Sequence, residues 1–111
     1  MAYHMFFGFC LRERVAAGEV AEALQRLGAR LIACDLMLAI TPMARRDRHP
    51  VLDTEPENPR AFFATMVFRD RAQADAAVAH FEARDPVTAP LHAAVIRRIT
   101  EASFLCYQED G

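Results

Sequence analysis

The sequence predicts an α+β domain: a four-stranded antiparallel sheet with its helices on one face. Two observations carry that prediction. Apolar residues recur with period two in some segments and with a helical period in others, and the two kinds follow one another in the order β-α-β-β-α-(α)-β. The chain has 111 residues, 53% hydrophobic and 25% charged, with only 4 Gly and 6 Pro, which suits one globular domain spanning residues 1–111.

Tyr3 to Leu11 is too short and too aromatic for a helix and reads as the first strand. Tyr3, Met5, Phe7, Phe9 and Leu11 are uniformly large and apolar, so this set should pack under helices. His4, Phe6, Gly8, Cys10 and Arg12 point the other way. From Ala16 to Leu27 the period lengthens: Val20, Leu24 and Leu27 form one stripe among Glu19, Glu22, Gln25 and Arg26. Gly28 then reads as a C-terminal stop.

Arg30 to Ile40 admits two readings. Ile32, Cys34, Leu36, Leu38 and Ile40 alternate with Leu31, Ala33, Asp35, Met37 and Ala39, as in a strand. A helix continuing through Gly28 is the other reading, and it would reduce the sheet to three strands. The strand is preferred because Gly28 precedes the segment and Thr41-Pro42 follows it.

Residues 42–59 hold four of the six prolines and no periodicity, with a basic first half (Arg45, Arg46, Arg48, His49) and an acidic second half (Asp53, Glu55, Glu57). A connection of this length is expected to be a lid or simply mobile. Ala61 to Arg69 reads as the third strand, and Asp70 as the N-cap of a helix to about Ala83 with Ala74, Ala77, Val78 and Phe81 as its apolar stripe. Asp85-Pro86 breaks that helix. Thr88 should cap a third, with Pro90 in its first turn and Leu91, Val95 and Ile99 along one face. Ser103 to Gln108 closes the sheet.

Two β-α-β halves joined in this order make the ferredoxin-like sandwich, in which the third strand lies between the first and second. The face away from the helices would carry Phe6, Cys10 and Met37. So much apolar surface predicts a homodimer packed sheet against sheet.

The stretch Phe62–Tyr107 resembles the dimeric α/β-barrel superfamily, in its stress-responsive barrel-domain branch. The resemblance rests on Val67-Phe68 ending a strand, the helix Gln73–Phe81, Asp85-Pro86 and His92, and the closing strand Phe104-Leu105-Cys106-Tyr107. The chain departs from the pattern in its Pro-rich 42–59 connection and in the separation of Asp85-Pro86 from His92. The resemblance implies a dimeric barrel enclosing a small-molecule pocket. It does not choose among monooxygenases, decarboxylases, dehydratases and non-catalytic members.

Several function classes are disfavoured. A net charge of −2 supplies no basic field for nucleic acid or anionic lipid. All 13 cationic residues are Arg, a whole-chain bias of the kind a high-GC bacterial genome produces. No run is long and apolar enough to span a membrane, and the N-terminus lacks a signal-peptide pattern. Cys10, Cys34 and Cys106 are expected as free thiols in a reducing cytoplasm, and neither zinc nor any other metal is expected from the ligand spacing. GxGxxG, P-loop, HExxH, GxSxG and CxxC are absent, which disfavours nucleotide-cofactor enzymes and metalloproteases; no cofactor is expected, with flavin or haem held without a linear motif as the open alternative.

The candidate catalytic residue is His92, at the start of the third helix, as an acid/base near a pocket mouth. Candidate ligand-binding residues are His4, Asp35, Phe6, Cys10 and Met37 on the open face. Asp35 is the single charge in its apolar run and would need a partner there. A His4–Asp35 dyad is opposed by the intervening strand, which separates their backbones by about 9–10 Å. Arg45, Arg46, Arg48 and His49 would grip an anion or, more simply, pair with their own loop's acids. Cys10 and Cys106 are expected on neighbouring strands as packing residues. Two functions follow: a pocket for a small, partly apolar ligand with cofactor-independent chemistry, or a non-catalytic assembly module whose open face is only a dimer contact.

Overall fold

The odd-numbered aromatic row of the first strand decides the architecture. In a computed structural model of all 111 residues, β1 (Tyr3–Leu11) buries Phe7 and Phe9 beneath the helices and leaves Phe6 exposed on the opposite side. β1 is the second-innermost rung of a sheet ordered β2-β4-β1-β5, where β4 is Phe62–Phe68 and β5 is Ile99–Gln108. All pairings are antiparallel: Phe6 faces Thr65 on β4 and Leu105 on β5. The expected placement of β4 between the first and second strands, and of β5 beside β1, is what the structure shows.

β2 (Ala39–Ile40) and β3 (Ala44–Arg45) both pair with β4, at Val67-Met66 and at Phe63-Phe62. They are two stretches of one edge strand, interrupted at Pro42. A proline cannot donate to the ladder, so it suits an edge. Thr41 bridges the break: its N–H donates to Thr65 O at 2.9 Å and its hydroxyl accepts from Thr65 N at 2.8 Å. The connection expected over 42–59 therefore begins after Arg45.

Three helices cover one face: α1 (Ala17–Ala33), α2 (Arg71–Glu82) and α3 (Thr88–Ile96). Val20, Leu24, Leu27 and Leu31 of α1, Ala74 and Ala77 of α2, and Val95 of α3 meet Phe7, Phe9, Ala64 and Met66 of the sheet. The molecule is only 19 Å thick, which leaves room for one helical and one sheet layer. Nothing in the chain roofs most of the other face.

α1 corrects the preferred reading of residues 30–40. It passes through Gly28, which is buried, and ends at Ala33. Gly28 is there for close approach: a Cβ would lie 2.5 Å from Ile40 Cγ2. The true stop is a Schellman motif, with Asp35 N donating to Ile32 O and Leu36 N to Leu31 O at 2.9 Å. Asp35 holds the left-handed position at φ 57°, a conformation that Asp adopts more readily than most residues. Asp35 and Met37 are therefore not on the open face. The Asp35 side chain is 82% exposed beside Arg69, and Met37 is buried in the core.

Asp70 caps α2 as expected, accepting from Gln73 N at 2.8 Å. The buried Gln73 amide spends its own atoms locking Arg69 N (2.7 Å) and Asp35 O (3.1 Å). The expected capping of α3 by Thr88 is replaced by Asp85, whose carboxylate accepts from Val87 N and Thr88 N. Thr88 is instead buried, receiving Arg30 Nε at 3.2 Å and lying 2.8 Å from His80 Nε2. These bonds tie α1, α2 and the start of α3 together.

Candidate functional site

The uncovered sheet face is floored by aromatic rings. Phe6 stacks on Phe63 with centroids 5.4 Å apart, and next to them His4 stacks on Tyr107 at 4.9 Å with 7° between planes. Gly8 makes the first stack possible. Any Cβ at that position would sit 2.6 Å from the Phe63 ring, so only glycine lets the ring lie down over β1. Leu105 (60% exposed), Tyr107 (47%) and Phe6 (40%) form an apolar row along the same face.

The loop after β3 folds over one end of this floor and borders an open cleft of about 780 Å³. Phe6, Phe63 and Leu105 form its floor, and residues between Arg46 and Asn58 its roof. Arg46 holds the roof together. Its Nε and Nη2 grip the Asp53 carboxylate at 2.7 Å each, Nη2 also reaches Glu55 O at 2.6 Å, and Nη1 donates to the carbonyls of Asn58 and Arg60. All five guanidinium N–H groups are thereby used. The Arg46 side chain is 8% exposed and that of Asp53 18%, so the pair is well shielded from water. The Arg46 hydrogen bonds hold the Asp53 carboxyl well below the usual carboxylate range, and a bond from Glu55 N adds to the effect. Of the two readings of the basic cluster, pairing within the loop is what Arg46 displays.

His49 shapes the tip of the roof. Its Nδ1 accepts from Val51 N at 3.1 Å and Leu52 N at 3.0 Å. Arg60 closes the far end, donating from Nε to Glu101 O at 2.7 Å. Glu101 lies in a bulge of β5, where the register against β1 slips between Gly8 and Cys10, and it adopts φ 54°. The Cys10 thiol donates to Pro59 O at 3.2 Å and to Glu101 Oε2 at 3.5 Å. Burial, then the bond to Glu101, pushes the thiol's pKa up, which disfavours the reactive thiolate form of Cys10.

The predicted site residues divide into two groups. His4, Phe6 and Cys10 do lie on the open face, while Asp35 and Met37 lie elsewhere for the reasons given above. The carboxylate that His4 meets is Glu109, with Nε2–Oε1 at 3.2 Å, and not Asp35. A carboxylate can only accept, so Nε2 carries the hydrogen and Nδ1 is left as the ring's acceptor. His92 is in the helical layer, on the other side of the sheet from the cleft. It lines a groove of about 720 Å³ between α2 and α3, with its ring 4.6 Å from that of Phe81. Burial there pushes the His92 pKa down. Cys106, expected to be packed, is exposed, because the helical layer covers only the start of β5, at Ile99.

The sequence reading missed Arg46, Asp53, Asn58 and Phe63 as parts of one site. The signal for the ion pair was present in the basic-then-acidic halves of the loop. The signal for Phe63 was its cross-strand neighbour Gly8.

No family model matches the sequence, and no curated protein matches it. Solved structures do match the fold. A mutant of SnoaB, a cofactor-independent oxygenase from Streptomyces nogalater, superposes with a TM-score of 0.70 at 14% identity, over 99% of this chain and 94% of its own. A dimeric ferredoxin-like protein of unknown function from Jannaschia gives 0.67 at 12% identity, over 98% and 100%. A DABB family protein with a ferredoxin-like fold from Mesorhizobium loti gives 0.57 at 17% identity, over 99% and 98%. At such identities the likeness establishes architecture and leaves activity open. The chain has the ferredoxin-like fold, and its structural neighbours include dimeric ferredoxin-like proteins and a DABB family protein.

Proposed function

We propose that the protein is a homodimer that buries its open sheet face against a second copy and holds a small, partly apolar ligand in the cleft above Phe6 and Phe63. The cleft itself carries this reading: about 780 Å³ with an aromatic floor and a roof braced from within by Arg46. Its volume is that of an ordinary small-molecule site, and a few polar groups among apolar walls are the usual makeup of one. That neighbours of the same fold include a dimer and a cofactor-independent oxygenase is consistent with both halves of the reading.

Any chemistry on the ligand is assigned to His4, which stands outside the cleft's lining but two residues along the same face from Phe6, with its Nδ1 left free by the bond to Glu109. His92 opens onto the other layer and has no part in this cleft. The second reading, a non-catalytic assembly module, draws on the exposed row Phe6, Leu105 and Tyr107, which a dimer contact alone would explain.

Light scattering behind size exclusion tests the assembly. A mass of about 25 kDa, twice the 12.5 kDa chain, is expected. Leu105→Glu, which places a charge in the apolar row, should return the protein to 12.5 kDa. A wild-type monomer would overturn the proposal. A dimer that takes up no apolar probe would favour the assembly-only reading.

A further inference from the structure

The charges around the cleft restrict what it can hold. Its lining includes one guanidinium, Arg46, and three carboxylates, Asp47, Asp53 and Glu55. Arg46 has no N–H left to offer, because its own loop uses all five. The other arginines nearby lie outside the lining. Arg48 donates to Pro56 O and Asn58 O, Arg60 to Glu101 O and Asn58 Oδ1, and Arg45 lies over the Phe62 ring at 4.7 Å. Neither Glu55 nor Asp47 forms an ion pair through its carboxylate; the ion pair of this loop is Arg46–Asp53. The Nδ1 of His49 is taken up by Val51 N and Leu52 N.

Resting on the cleft reading above, we propose that this site takes planar aromatic ligands that are neutral or cationic and rejects carboxylates and other anions. The floor offers stacking faces at Phe6 and Phe63, which any flat ring system satisfies. The rim sets the sign of charge. An anion in the cleft must approach Asp47 and Glu55 with no free donor from Arg46, the one arginine in the lining, and it loses water in doing so. A cation meets the same two carboxylates as attractive charges.

The test uses three pyrene probes that share one ring system: pyrenemethanol, pyrenemethylamine (cationic at pH 7) and pyrenecarboxylate. Their fluorescence anisotropy is titrated against the full-length protein. A unit charge about 7 Å from an exposed carboxylate, with an effective dielectric between surface and bulk values, corresponds to roughly a tenfold change in affinity. Pyrenecarboxylate is therefore expected to bind about tenfold more weakly than pyrenemethanol, and pyrenemethylamine at least as tightly. Raising salt should narrow the gap, since both carboxylates face solvent. The double variant Asp47→Asn, Glu55→Gln should bring the three affinities together, and neither residue supports the fold through a side-chain ion pair. Phe6→Ala should weaken all three alike.

Equal binding of the three probes, with all of it lost in Phe6→Ala, would overturn the charge selection and leave the cleft standing. Binding of none of them, or binding that ignores Phe6→Ala, would overturn the cleft and the selection together. An unchanged gap in the double variant would also overturn the selection, because the discrimination would then come from elsewhere.

Discussion

Replacing Gly28 by Ala sets two effects of opposite sign against each other. Alanine in a helix interior is worth about 1 kcal/mol over glycine, so α1 by itself should gain. The new Cβ would sit 2.5 Å from Ile40 Cγ2, 3.5 Å from Ile40 Cβ and 3.6 Å from Met37 Cε. Met37 can bend away, being unbranched. Ile40 cannot, because its χ1 is stiff and its backbone is paired with Met66 of β4. Relief needs an off-rotamer Ile40 or a displaced edge strand, and overpacking of this kind costs about 1–3 kcal/mol. We therefore expect a net loss of up to about 2 kcal/mol, which is a fall in Tm of as much as several degrees for a domain of this size. Thermal unfolding followed by circular dichroism, at one fixed protein concentration, reads it. Adding Ile40→Ala removes the clashing methyl, so the double variant should be more stable than the sum of the singles by about 1 kcal/mol. A higher Tm for Gly28→Ala alone would refute the reasoning, since the glycine would then be an ordinary weak point in the helix.

Asp35 and Glu101 both hold left-handed backbone, at φ 57° and 54°. Asp35→Gly and Glu101→Gly should each stabilise by about 0.5–1 kcal/mol, read as a higher urea midpoint, and a loss at either position would mean the side chain matters more than the backbone. Asp85 is held down to about 2 from 3.8, first by Thr88 N and then, against the opposing effect of burial, by Arg30. Its folded pKa is depressed, so its contribution is whole above pH 4 and is lost as the pH falls towards 2. Asp85→Asn should flatten the Tm-against-pH curve in that window, and an unchanged slope would assign the acid sensitivity to other groups.

Much of the fold was legible because period and burial agree locally. The aromatic row of β1, the stripe of α1 up to Leu27, the Asp70 cap and the apolar pattern of β4 each follow from one segment's own residues, and the order of elements then limits the topology. Gly28 was misread because glycine serves equally as a helix stop and as a point of close approach, and only Ile40, twelve residues on, distinguishes the two. The misplacement of Asp35 and Met37 followed from it. The same holds for the site. His4, Phe6 and Cys10 could be assigned to one face from alternation alone. The ring of Phe63 over Gly8, the five bonds of Arg46 and the meeting of His4 with Glu109 join residues far apart in sequence. Such contacts are set by strand register and by how a loop without periodicity folds back, and neither is encoded in any local pattern. The sequence determined the layers and the faces. The tertiary structure decided which side chains share the cleft, because that depends on pairing across the sheet.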